Sequence, residues 1–199
     1  MTDASTRRCV AAILVRLSHY RDKVAPEADP LRTHAWTLLV EVILNQDKWG
    51  RDKAGTLKQR LSESGCGWSP TAVSHIREKT LHAAVSRTPA VARYHHRATG
   101  WIHSAARLVV DSYGGHTARL WREARSLKEL IARLKEVPGI SQKKANLYAR
   151  SLGKALGLRD WHNVDIPADA HILRVLHRSG LSPSARLQDV IRAARRVWP

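Results

Sequence analysis

The sequence predicts an all-α chain. Apolar residues recur at helical spacing in one segment after another, helix-start signals precede several of those segments, and no alternating strand pattern or Asn-Gly hairpin signal interrupts them. From the N-terminus, "MTDASTRRCVAAILVRLSHYRD" holds a short apolar stretch that Arg16 and His19 interrupt, which reads as an amphipathic first helix rather than a signal peptide. "HAWTLLVEVILNQ" (34–46) is apolar nearly all round and predicts a buried central helix. "GRDKAGTLKQRLSES" (50–64) is amphipathic, and Ser69-Pro70 supplies an N-cap with proline at the first helical position. "RYHHRATGWIHSAARLVVDSYGG" (93–115) reads as a helix ended by Gly114-Gly115. "SLKELIARLKEV" (126–137) opens with Ser126 and Glu129 in capping-box spacing. A further helix is predicted to start at Ser182-Pro183 and run to residue 198. The whole amounts to about eight to ten helices on short turns, without repeats or low-complexity linkers.

Composition narrows the partners. Lys and Arg number 34 against 17 Asp and Glu, a formal charge of +17, so a polyanion is expected and nucleic acid leads. An anionic membrane surface is the rival, but no segment approaches the ~20 apolar residues of a span, and no long basic amphipathic tail is present. The two cysteines, Cys9 and Cys66, cannot supply a four-thiolate zinc or iron–sulfur site, and reduced thiols in an intracellular protein are the default.

The most informative stretch is "VPGISQKKANLYAR" (137–150). Pro138-Gly139 marks a tight turn, Ser141 stands where a helix can start, and Lys143 and Lys144 fall in its first turn. Cations are disfavoured at a helix N-terminus. An amine nucleophile, however, must be neutral, and an unperturbed lysine has a pKa of ~10.4. Bringing it near neutrality costs roughly 4–5 kcal/mol of destabilised ammonium. A helix start, a neighbouring cation and burial all act in that direction. Residues one apart on a helix face ~100° away from each other, so only one of the two lysines can point into a site. The hairpin also offers backbone N–H groups at the helix start, a sequence-independent grip on phosphate. Downstream, "NVDIPADAHILRVLHRSG" places Asp169 before an apolar-periodic run, a position that also suits a plain N-cap.

"VPGISQKKA" followed by "ADAHILRV" resembles the helix-hairpin-helix DNA glycosylase superfamily, which includes endonuclease III and the 8-oxoguanine glycosylases. Val137, Pro138, Gly139, Ile140, Lys143 and Ala145 fit the first motif; Asp169, His171, Arg174 and Val175 fit the second. "VILNQDKWGRDKAGTLKQRL" is similar to the family's early Leu-Ser-x-Gln segment, with Gln46 in the glutamine place. "ARYHHRATGWIHSAARLVVDSYGG" is similar to its Tyr-x-x-Lys-Ala helix. The similarity spans roughly residues 34–180 in the family's order. Ser141 departs from the pattern, replacing the second hairpin glycine. The insertion "GLRDWHNVDIP" resembles the longer form of archaeal 8-oxoguanine glycosylases, and the four-cysteine cluster loop that closes endonuclease III is not among these residues.

The resemblance implies a two-lobed helical bundle with an active cleft between its lobes: lobe A about residues 1–31 plus 165–199, lobe B about 32–164, together one unit over 1–199. It implies a base-excision-repair glycosylase with associated AP-lyase activity, using no cofactor and no metal. Lys143 would attack C1′ and expel the damaged base, with Lys144 as rival nucleophile. Asp169 would stabilise the cationic sugar and assist proton transfer, with Asp165 as fallback. Gln46 would fill the gap left by the extruded base, and Pro138, Gly139, Ile140, Ser141, Lys144 and His171 would complete the DNA contacts. An oxidised purine, chiefly 8-oxoguanine, is favoured by the insertion, with an oxidised pyrimidine as alternative. The partner expected is damaged double-stranded DNA, bound by a monomer in the nucleoid or nucleus, without membrane or protein partners. The different-class alternative is a non-catalytic helix-hairpin-helix DNA-binding module. His95, His96 and His103 resemble a metal cluster only in their density, and most of Trp49, Trp68, Trp101, Trp121 and Trp161 are expected in the core, with base stacking as the other use.

Overall fold

Apolar period builds the fold, and caps set its boundaries. The structure, a computed structural model, describes residues 35–44, 52–161, 164 and 170–197. Ten helices lie among the described residues, and no strand. The predicted first helix and Trp49 fall outside them, as do Gln46, Asp165 and Asp169. The chain divides into two compact units, one of Ala28–Asn163 and one taking Val164–Pro199 together with Met1–Glu27.

In the larger unit, α1 (Ala35–Leu44) buries Trp36, Leu39, Val40, Val42, Ile43 and Leu44, as its near-continuous apolar sequence predicts. α2 (Lys53–Glu63) starts at Asp52, whose side chain accepts from Gly55 N at 2.7 Å. α1 adds a second cap from outside the helix: Glu41 Oε2 accepts from Ala54 N at 2.8 Å. Burial pushes the Glu41 carboxyl above its usual range, and the donated N–H opposes that. α3 (Pro70–His75) has the predicted Ser69 cap and proline start. α4 (Glu78–Ser86) packs on α5 (His95–Tyr113), the longest of the described helices, which also contacts α1 and α3. α5 ends at left-handed Gly114, φ +59°, as its Gly-Gly sequence indicates. After the short α6 (Arg119–Arg122), α7 (Leu127–Glu136) opens at Ser126, which accepts from Glu129 N. Glu129 reaches back one residue beyond the usual box, to Arg125 N at 2.9 Å. α8 (Gln142–Ala155) then packs against α7.

Arg60 is a buried cation that composition cannot reveal. It projects from α2 and donates to Ala84 O, Arg87 O and Pro89 O at 2.8–3.0 Å, closing the carbonyl end of α4. Trp36 in α1 is fully buried, but of the described tryptophans expected mostly in the core only Trp121, at 2% exposure, is buried; Trp68, Trp101 and Trp161 are half-buried. Trp68 is tied to α1 by its indole N–H donating to Thr37 Oγ1 at 2.9 Å.

In the smaller unit, α9 (Ala170–Arg178) and α10 (Leu187–Val197) pack around Leu176, Leu181 and Val190. One start signal fails. α10 begins at Leu187, not at Ser182-Pro183, because Ser182 is used to close α9. Its N–H and that of Leu181 both bond to Leu176 O at 3.0 Å, after the left-handed Gly180, and its hydroxyl donates to Ser184 O.

Candidate nucleic-acid interface and active site

The α7–α8 junction carries the motif residues. Val137 to Ile140 form a turn closed by Ile140 N donating to Val137 O at 3.1 Å. Pro138 and Gly139, the latter at φ +84°, sit where a type II turn wants proline and glycine. Val137 and Ile140, exposed only 1% and 6%, anchor the turn in the core. Gly139 is required twice over: its φ is left-handed, and a Cβ there would lie 2.8–2.9 Å from the Trp101 ring of α5.

Ser141 caps α8, accepting from Lys144 N at 3.4 Å, while Ala145 N bonds to Ser141 O at 2.8 Å. Its φ is −76°, so the position needs no glycine, and serine in place of the second hairpin glycine keeps the turn and adds a cap. The first turn of a capped helix still presents N–H groups unused by the helix, and with the helix dipole these suit an anion.

The two lysines part company here. Lys143 is exposed, whereas Lys144 turns inward and is half-buried. Lys144 Nζ donates to Ile43 O at 2.8 Å and Gly139 O at 3.0 Å, and lies 5.9 Å from the Trp101 ring centre. Burial first, and the nearby Lys53 ammonium second, lower its pKa from 10.5 to about 8. Lys53 itself donates to Leu44 O at 3.2 Å. The carbonyl end of α1 thus receives two ammonium groups, the arrangement a helix C-terminus favours.

The structure therefore brings together Pro138, Gly139, Ile140, Ser141, Lys143 and Lys144 on one hairpin, seats it on Trp101, and adds Lys53 and the end of α1, which the sequence reading did not connect to it. Gln46 and both candidate carboxylates, Asp169 and Asp165, lie outside the described residues. His171 is exposed in the first turn of α9, in the other unit. Helical period sets Lys143 nearly opposite the Ala145–Ala149–Leu152 stripe and Lys144 roughly 100° from it, but cannot say which neighbour covers Lys144.

A chain whose described residues are helical and without strands has known counterparts. Two similar solved structures are a trapped covalent intermediate of endonuclease III with DNA, an estranged-adenine complex, and a non-covalent endonuclease III–DNA complex. Their TM-scores are 0.59 and 0.55, each at 18% identity, covering 100% of this chain and 79% of the other. The chain has the endonuclease III fold. No protein-family model matches it, and neither does any curated protein sequence. The likeness to endonuclease III thus rests on architecture.

Proposed function

We propose that the chain is a DNA glycosylase with associated lyase activity, acting on an oxidised base in duplex DNA. The observation that carries the reading is the Pro-Gly turn with a capped helix start and a solvent-facing lysine, set in an endonuclease III fold. In this mechanism the turn and the first turn of α8 hold a phosphate of the damaged strand. The neutral amine of Lys143 attacks C1′. The new C1′–N bond to the lysine forms as the C1′–base bond breaks; the base leaves with that electron pair and takes up a proton, and the amine gives up one proton. The C1′–O4′ bond then opens, O4′ taking a proton, to leave a protonated Schiff base that accepts electrons when C2′ loses a proton. β-Elimination then releases the 3′ phosphate. Asp169 supplies the negative charge that steadies the developing sugar cation. Gln46 occupies the space of the extruded base, and His171 adds a backbone contact. The insertion before Asp169 favours 8-oxoguanine over oxidised pyrimidines. The enzyme works as a monomer in the nucleoid or nucleus; no described helix is long and apolar enough to cross a membrane.

One observation favours a second reading of the nucleophile. Burial lowers the Lys144 pKa to about 8, and a depressed amine pKa is what nucleophilic catalysis needs. Against it, both hydrogen bonds of its ammonium are to backbone carbonyls that hold the hairpin to α1. In this account Lys144 is the positioning residue and Lys143 the catalytic one. Single-turnover excision and borohydride trapping of the two alanine variants decide. Lys143→Ala abolishes trapping while retaining DNA binding, and Lys144→Ala still traps. The reverse pattern transfers the role to Lys144. Wild type without excision on a broad lesion panel would favour the non-catalytic DNA-binding module.

A further inference from the structure

Away from the hairpin, the fold gathers three imidazoles. His82 stands on α4, and His95 and His96 are the first residues of α5. One ring nitrogen from each lies within 4.8 Å of the others. The sequence offered His95, His96 and His103; packing of α4 on α5 brings His82 to the pair instead. His82 and His96 stack at 4.3 Å between ring centres, with His95 at 5.3 Å from His82 and 4.8 Å from His96. Nε2 of His82 is buried and has no hydrogen-bond partner. A buried imidazole nitrogen without a partner is a cost that coordination to a metal removes. His96 is exposed, so an ion reaches the cluster from solvent.

We propose that His82, His95 and His96 bind one divalent transition-metal ion of the zinc type. The donor set points to that class: imidazole suits zinc, nickel and copper, whereas magnesium and calcium require oxygen ligands. Zinc sites with three protein ligands keep a fourth position for water. Zn–N bonds of ~2.0–2.1 Å need the three nitrogens to close by roughly an ångström from their present spacing, within reach of side-chain rotation. The bound ion would pin α4 to the start of α5, across the connection 87–94. α5 caps at Tyr94 without a side-chain hydrogen bond. The same helix carries Trp101, the seat of Gly139.

The test uses the full chain, free of any histidine tag and stripped of metal. Zinc is titrated calorimetrically, cobalt uptake is followed by its visible ligand-field absorption, and melting is measured with and without zinc. The expected result is uptake of one ion per chain and a higher melting temperature with zinc. His96→Ala, an exposed position that leaves folding intact, should weaken zinc by more than the roughly 10–100-fold typical of losing only an outer partner of a ligand, and abolish the melting shift. His95→Ala should do the same. His103→Ala and His116→Ala should leave both unchanged. No stoichiometric uptake, or uptake that survives both His95→Ala and His96→Ala, would show that the imidazoles are only stacked and overturn the site.

Discussion

At the scale of single residues, the hairpin depends on a glycine and a buried lysine. Gly139→Ala places a side chain at φ +84° and against the Trp101 ring. It should cost at least about 2 kcal/mol of stability, measured by urea unfolding, since left-handed backbone alone costs roughly 1–2 kcal/mol. Lys144 predicts a pH dependence of definite sign. Its folded-state pKa of about 8 lies below the ordinary 10.5, so between those values the unfolded chain binds the extra proton. Stability from this group therefore rises with pH across the window, as the penalty for burying the ammonium is relieved. Relative to Lys144→Met, wild type should gain stability from about pH 8 to 10.5; parallel pH profiles for the two proteins would contradict the assignment.

At the scale of elements, two contacts set helix ends and can be removed singly. Ser141→Ala deletes the α8 cap and should cost about 1 kcal/mol, while Ser141→Gly costs only a few tenths. Arg60→Ala strands the three carbonyls at the end of α4 and should cost about 3 kcal/mol, with Arg60→Lys recovering little because an ammonium lacks the planar fork. Chemical unfolding midpoints measure both. These elements also mark what the sequence reveals. The starts at Ser69, Ser126 and Ser141 and the stop at Gly114 are legible because each uses a local hydrogen bond or a local dihedral. The α10 start misleads because Ser182 bonds backward to the end of α9, so a helix stop and a helix start compete locally for one serine and the stop wins. The hairpin was legible as a motif, but the inward turn of Lys144 was not, since it depends on the end of α1 about a hundred residues earlier. The pairing of His82 with His95 and His96 was hidden for the same reason.

At the scale of the whole molecule, a charge of +17 predicts binding dominated by phosphate contacts. With about five phosphates neutralised, raising salt from about 50 to 200 mM should weaken duplex binding roughly 500-fold. Affinity that ignores salt would contradict a backbone-gripping protein. The catalytic claim bears on Asp169 as much as on the hairpin. Asparagine caps a helix as well as aspartate does but carries no charge. Asp169→Asn should therefore keep the melting temperature and lesion binding while excision falls by ~10²–10³, or about 3–4 kcal/mol of transition-state stabilisation. Excision at the wild-type rate would move the carboxylate role to Asp165.

The central claim is that an amine on the α8 hairpin forms a covalent bond to the sugar of a damaged nucleotide. The most direct measurement incubates the wild-type protein with duplexes each carrying one lesion, reduces with borohydride, and maps the cross-linked peptide by mass spectrometry. The account predicts a trapped complex on at least one oxidised base, 8-oxoguanine first, with the sugar attached at Lys143 within "VPGISQKKANLYAR". Absence of any trapped complex across the panel, or attachment outside residues 137–150, would contradict it.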